Sequence, residues 1–557
     1  MRHEKNSFII NKNSQTYADT LAAIGLANLL RFVSFDAKTL IIDEGTAYRV
    51  EIEPALKLDQ VLAWKPQAGY PYLKFDLKDT QVPVVGEVYD YPTQRELEAK
   101  ARELGKKGRN QVEKLTDEEV RMAMPRADLK LIKTFNTMRK GSKAYNELWW
   151  AIRKSEEIPS WLAWKLGFLD KEPDFKELRN LEKITKVLQI YNPICGKGAN
   201  STKPDGAAPS SFPERLTDWF EEWLKYQAMH LAMSAFFVGS GSSDNKIFVV
   251  APQQADLQVV HEVRDQLLKL AYSSIKLDIM AIITVINTLL AYYKTIIMEN
   301  LEPWDPIPSK IIGGIHTAYF SSMGSATAIT NVSFMGIPGW IPVRESKDVD
   351  AWKMILQDFE AVVKCLDEKN SGDTQILLQC RDFLATTKLE TGLAFFASYG
   401  ARVLQLRATN KYGHYFGTKT LEGIFMAYNL EEIIQNPGFL HIADAIRKST
   451  VMLQERKLPG LEVRYGLAQD WKRKVAYPDE FIATLSEFAQ EYNAETARAE
   501  ESERVTGGRY FISPNDLDQV MGLIEKRGSK LVGMLLLAYG YARYNRRTER
   551  NEEVVKG

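Results

Sequence analysis

The chain of 557 residues reads as an α+β protein, with an irregular mixed N-terminal body followed by an all-α C-terminal helical bundle. Three patterns predict this. Runs rich in β-branched and aromatic residues, bounded by turn residues, fall at 39–52, 234–250 and 311–342. From Asp350 onward nearly every segment has its apolar residues at helical spacing, interrupted near 411–418 by KYGHYFGT. From about Leu421 the helices are punctuated at Pro437-Gly438, Pro459-Gly460, Gly507-Gly508 and Gly528, as separate rods of one bundle would be. The expected division is therefore a body over 1–420 and a bundle over 421–557, the latter large enough to fold alone.

Taken in order, residues 14–33, SQTYADTLAAIGLANLLRFV, form a first helix behind a Ser14 or Thr16 cap. The segment 39–52 is a hairpin turning at Glu44-Gly45. Pro and Tyr recur over 66–92, which implies a folded but irregular connector. Residues 95–154 hold sixteen Lys or Arg against nine Asp or Glu, including Lys106, Lys107, Arg109, Arg139 and Lys140. Such a stretch is ordinarily a solvated helical face. Its functional reading is a patch that tracks a phosphate backbone, with Phe135 and Asn136 among the cations. Trp149, Trp150, Trp161 and Trp164 follow within sixteen residues, a density that anchors a core or a domain seam more readily than it stacks bases. Residues 234–250 are two strands joined by a Gly-Ser-Asp-Asn turn, which puts Asn245 and Lys246 at a hairpin tip. The most apolar segment, 280–293, carries Asn287, is shorter than a bilayer span, and is expected as a core helix. In the bundle, helices are expected at 424–434, 442–453, 465–473, 479–499, 514–527 and 530–543.

Composition excludes several classes of function. Lys plus Arg equals Asp plus Glu at 72 each, so any nucleic-acid binding must come from local patches. Cys195, Cys365 and Cys380 form no CxxC pair, and the six histidines form no HExxH, so a zinc site or a His-Asp metal nuclease is not expected. The N-terminus has no apolar signal region, which points to a reducing cytoplasm. No nucleophile elbow, metal triad or Walker pair is present, so the chain is expected not to be an enzyme and to need no cofactor.

The segment 190–207, IYNPICGKGANSTKPDGA, is the richest in binding chemistry. Glycine lets backbone approach a ligand, Lys197 and Lys203 supply charge, and Asn192, Asn200 and Ser201 supply neutral donors and acceptors. The P-loop order GxxxxGK[ST] is missing. On composition alone the segment is a surface loop; its functional reading is contact with phosphate and base edges.

The order of these parts carries a resemblance. YADTLAAIGLANLLRF, the Gly-Lys-Gly-Asn loop followed by WFEEWLK, SYGARVLQLR, EVRYGLAQDWKRK, EFAQEYNAETAR and LLLAYGYAR together resemble the large subunit of type I CRISPR Cascade complexes, in the myxobacterial and cyanobacterial I-A/I-B-like variant. The resemblance spans most of the chain, through diffuse motifs. It implies an RNA-guided assembly in which base pairing reads the target, while the large subunit reads the protospacer-adjacent motif on double-stranded DNA and stabilises the R-loop. The implied partners are the guide RNA, the backbone subunits, target DNA, small subunits, and a helicase-nuclease or, in transposon-associated relatives, transposition proteins. Asn192, Lys197, Asn200, Ser201, Lys203, Asn245 and Lys246 are then candidates for motif recognition, and Lys106, Lys107, Arg109, Arg139 and Lys140 for the DNA backbone. Lys472, Arg473, Lys474, Arg546 and Arg547 are candidates for the displaced strand. The C-terminal bundle resembles the separate small subunit, which relatives also make from an internal start; Met426 and Met452 are the candidate starts here. Two other classes stay open on the residues: a nucleotide-binding enzyme using the glycine-rich loop, which would need a spaced Asp pair that Asp205 and Asp244 supply poorly, and a helical scaffold without DNA contact.

Overall fold

The computed structural model of the chain describes residues 3–35, 37–66, 71–79, 81–83, 88–107, 124–176, 178–196, 199–201, 217–238, 244–301, 305–323, 326–456, 461–501 and 509–544. The chain forms two compact units, one of residues 1–274 with 309–336 and the other of 275–308 with 337–557. Residues 337–420 thus belong with the helical bundle and not with the mixed body.

The first unit is built on two antiparallel four-stranded sheets. One is ordered β1 (Glu4–Asn11), β3 (Ala47–Lys57), β2 (Lys38–Asp43) and β10 (Gln254–Asp256). The predicted hairpin is its centre, with Asp43 paired to Tyr48 across the Glu44-Gly45 turn. The second is ordered β12 (Ala326–Gly336), β11 (Ile312–Met323), β9 (Asn245–Pro252) and β8 (Met233–Phe237). Two small pairs complete the strands: β4 (Tyr72–Lys74) runs parallel to β5 (Val88–Asp90) inside the expected connector, and β6 (Lys186–Leu188) runs antiparallel to β7 (Ala199–Ser201).

The helix Tyr17–Ser34 starts where the Thr16 side chain accepts from the Ala18 amide and ends at Phe35 in a left-handed conformation. All of its residues except Arg31 and Phe32 are buried, as expected of a helix that is apolar on every side. It meets the helix Trp219–Ala232 at backbone distance: a Cβ on Gly25 would lie 2.1 Å from the Leu224 carbonyl oxygen, so only glycine fits there. Asn28 Nδ2 donates to Gln227 Oε1 at 3.1 Å across the same seam. Of the four clustered tryptophans, Trp149 and Trp161 are core, the latter 4.6 Å from Trp219 between ring centres, and Trp150 and Trp164 are half-buried.

The second unit has no named strand among its described residues. Its N-terminal helix, Ser274–Met298, is longer than the 280–293 segment read from hydropathy and is long and apolar enough to cross a membrane by length and composition. Eleven of its side chains are buried, and 56% of its most apolar window is inside the protein. The helices Ser346–Cys365, Ser371–Thr386 and Leu389–Ala408 share an aromatic core in which Trp340 stacks on Phe383 at 5.3 Å and Phe396 meets Phe416 edge-on at 5.0 Å. The bundle helices that follow are Thr418–Met426, Glu431–Ile434, Pro437–Ser449, Val451–Arg456, Leu467–Lys474, Pro478–Glu501, Pro514–Arg527 and Ser529–Gly540. Leu389–Ala408 packs tightly on the end of the last, since a Cβ on Gly400 would meet Tyr541 at 2.5 Å. The polar centre is Asp444, which accepts from Arg447, Lys448, Tyr510 and Tyr544 at 2.7–3.0 Å.

Candidate nucleic-acid interface

One buried ion pair holds both Asn192, near the start of the glycine-rich segment, and Thr217, ten residues beyond its end at Ala207. At the first root, the Tyr17 hydroxyl donates to the Ile190 carbonyl at 2.9 Å. Asn192 Nδ2 donates to Glu222 Oε2 at 2.9 Å, and Asn192 Oδ1 accepts from Lys225 Nζ at 3.0 Å. At the second root, Thr217 Oγ1 donates to Glu222 Oε1 at 2.6 Å and accepts from Lys225 Nζ at 3.0 Å. Lys225 Nζ reaches Glu222 Oε1 at 2.9 Å. Asn192, Thr217, Glu222 and Lys225 are all at most 4% exposed. The three ammonium protons and both carboxylate oxygens have partners, the condition under which a buried pair is tolerated.

The helix Trp219–Ala232 positions this pair. Asp218 caps it by accepting from the Glu221 amide, and an i,i+3 spacing sets Glu222 and Lys225 on one side of the helix. The neighbouring Glu221 carboxyl is pushed up to about 7, because burial outweighs the pull of Lys225.

This geometry corrects one expectation. Asn192 has no exposed surface and spends both ends of its amide on the network, so it roots the loop and reads no base. Asn200 and Ser201 lie on β7, opposite Val187 and Lys186 of β6. Lys197 and Lys203 fall outside the described residues.

A second correction concerns the hairpin of β8 and β9. Asn245 is 5% exposed and pairs in register with Phe237 and Phe320, so it is interior to the sheet and unavailable to a ligand. The hairpin is held by Asp244, whose carboxylate accepts from the Tyr319 hydroxyl at 3.1 Å and the Ser322 amide at 2.9 Å. Lys246 is half-buried, with its amine 5.7 Å from the Phe248 ring centre.

In the basic stretch, Lys106 and Lys107 end the helix Tyr91–Lys107, and Arg139 and Lys140 begin the helix Arg139–Lys154. Arg109 lies outside the described residues. Phe135 is fully buried, stacked on Phe75 at 6.2 Å, so it belongs to the core and offers no stacking face. Two cations of this stretch are paired with carboxylates: Lys133 with Glu98, and exposed Arg126 through a two-armed contact with buried Asp128.

In the bundle, Lys472, Arg473 and Lys474 occupy the last turn of the helix Leu467–Lys474. Lys474 sits 3.5 Å from Asp470, Arg473 is exposed, and Lys472 Nζ donates to Ser398 Oγ at 2.7 Å. Arg546 and Arg547 fall outside the described residues.

Sequence reading missed Thr217, Glu222 and Lys225 as the anchor of the loop. The available signal was a Glu and a Lys three apart among Trp219, Phe220, Trp223, Leu224 and Tyr226, an apolar setting in which unpaired charge is costly. Among the described residues no group of three or more His, Cys, Asp or Glu is arranged to hold a metal ion. No protein-family model matches the chain, and no curated protein matches it at a significant level.

Proposed function

We propose that the chain is the non-catalytic large subunit of an RNA-guided type I CRISPR effector complex, which recognises the protospacer-adjacent motif on double-stranded DNA and stabilises the R-loop. The observation that carries this reading is the anchoring of the glycine-rich loop: Asn192, near its start, and Thr217, beyond its end, are fixed to the same Lys225–Glu222 pair. Between these two anchors Asn200 and Ser201 are fixed again on β7, and residues already ordered lose less conformational freedom on meeting a groove than free ones. Its partners in this reading are the guide RNA and backbone subunits, double-stranded target DNA, small subunits, and a helicase-nuclease or transposition proteins.

The test is a motif-library binding assay on the chain assembled with guide-loaded partner subunits. Asn200→Ala should alter motif preference, modestly if the amide reads the minor groove, where A·T and G·C are separated only coarsely. Lys197→Ala should weaken all motifs alike if it meets phosphate. Wild-type affinity and preference in both variants would refute the assignment of the loop, and no motif-dependent binding by the assembled wild type would refute the function.

A further inference from the structure

The helix Arg139–Lys154 turns one face to a cleft of about 600 Å³ in the first unit. Glu147, Trp150, Ala151 and Lys154 line it, and the steps of three, four and seven residues from Glu147 set all four on one side of the helix. Asn180 and Ile184 come from the helix Leu178–Ile184, and residues 81–83 supply the rest of the lining. The volume falls in the range of clefts that hold small molecules.

The middle of the cleft is aromatic and apolar. Trp150 is half-buried and held in place by two rings, Trp149 at 88° with centres 4.9 Å apart and Tyr72 at 61° and 6.0 Å. Lys154 Nζ lies over the Trp150 ring, 5.2 Å from its centre, so a face of the indole is turned to the cleft. Val82, Pro83, Ala151 and Ile184 add aliphatic surface. A fixed aromatic face beside aliphatic groups favours a flat ring as occupant.

The polar groups around it are unspent. Gln81, Asn180 and Lys154 make no hydrogen bond or ion pair among the described residues. Each of the two amides offers a donor and an acceptor, as the edge of a nucleobase does. The exposed Glu147 carboxylate approaches Lys143 only at 3.9 Å, beyond hydrogen-bond length, so its oxygens are available to accept. Seven residues of helix put about 10 Å between this acceptor and the Lys154 cation. A ligand in register with that order has donors on one edge, a flat ring in the middle and an anion at the far end. Among nucleobases, guanine presents two adjacent N–H donors on its pairing edge, which a carboxylate accepts with both oxygens. Adenine has a ring acceptor at the matching position, which a carboxylate repels.

We propose that this cleft binds a guanine nucleotide, with the base stacked on Trp150, its pairing edge donating to Glu147 and its 5′ phosphate met by Lys154. Gln81 and Asn180 take up the remaining polar groups of base and sugar. The site is separate from the glycine-rich segment and does not depend on the large-subunit reading. The ligand is a guanine ring with a phosphate, carried by a free nucleotide or by an unpaired residue at the end of a strand.

The experiment is isothermal titration calorimetry of the full chain with GMP, AMP, guanosine and the 5′-phosphorylated dinucleotide pGpU. GMP should bind about tenfold tighter than AMP or better. Lys154→Gln should weaken GMP about tenfold, the loss of one charge-assisted contact, and leave guanosine unchanged because it has no phosphate. Glu147→Gln should remove the preference for GMP over AMP. Both side chains are exposed, so neither change disturbs the core. No binding of GMP at millimolar concentration, equal affinity of the wild type for GMP and AMP, or GMP affinity indifferent to both substitutions would each overturn the proposal. An equal loss for guanosine in Lys154→Gln would show that the lysine meets no phosphate and would overturn it as well. Tighter binding of pGpU than of GMP would assign the seat to a residue of a strand, and equal or weaker binding to the free nucleotide; either result supports the guanine seat.

Discussion

Replacing Lys225 by Met removes the donor that joins the two roots of the glycine-rich loop. The chain would lose three hydrogen bonds, to Asn192 Oδ1, Thr217 Oγ1 and Glu222 Oε1 at 2.9–3.0 Å, and would leave a carboxylate that is 2% exposed without its counter-ion. Breaking one partner of such a pair costs about 3–5 kcal/mol, most of it from the orphaned charge and little from the intrinsic strength of the pair. Glu222→Gln should cost a similar amount for the converse reason. The double variant removes both charges and should cost about as much as either single change, so the cycle should show a coupling of about 3 kcal/mol. Urea unfolding followed by tryptophan fluorescence suits the test, because Trp219 and Trp223 lie on the same helix as the pair. A cost below about 1 kcal/mol for Lys225→Met, or additive single changes, would refute the claim that this pair holds the loop.

Two half-buried groups predict opposite pH responses of the first unit. Burial and the nearby Lys12 hold the His316 imidazole down to about 4, so the unfolded chain takes up the proton first and stability is lost as pH falls from about 6.5 toward 4. Glu221, held up at about 7, contributes stability that is complete below the ordinary 4.5 and lost as pH rises through 7. Urea midpoints between pH 4.5 and 8 should flatten at the acid end in His316→Gln and at the neutral end in Glu221→Gln; unchanged profiles would contradict the assignment. Of the two internal starts, the fragment 426–557 keeps Asp444 whereas 452–557 loses it, depriving Tyr510 and Tyr544 of their acceptor. Circular dichroism melts should therefore find 426–557 the more stable, and equal melting would show that the Asp444 centre is dispensable. A triple alanine variant at Lys106, Lys107 and Arg109 should lower the salt slope of duplex binding by about one unit per phosphate contact with motif preference unchanged, and an unchanged slope would make the cluster a solvated face.

What the sequence by itself determined is local. The hairpin at Glu44-Gly45, the helix Tyr17–Ser34 behind Thr16 and the helix Pro514–Arg527 ahead of Gly528 were all legible, because a turn, a cap or a break is decided by residues within a few positions of each other. The same holds for the change from mixed to helical structure, which follows from periodicity. The strand Glu4–Asn11 escaped because its pairing partner lies about forty residues onward on Ala47–Lys57. The boundary near 337 was equally hidden: Gly400 and Tyr541 are distant in sequence, and nothing local to either announces their contact. Asn192 and Asn245 show the limit most sharply. As residue types they are good base readers, and both are buried in this fold, one between Glu222 and Lys225 and the other in the sheet formed by β8, β9 and β11. The chain supplies the donor, but whether water, a ligand or another side chain meets it depends on elements brought together from far apart. Lys472 and Ser398 make the same point. They are 74 residues apart and meet only through helix packing, a contact that nothing local to either residue announces.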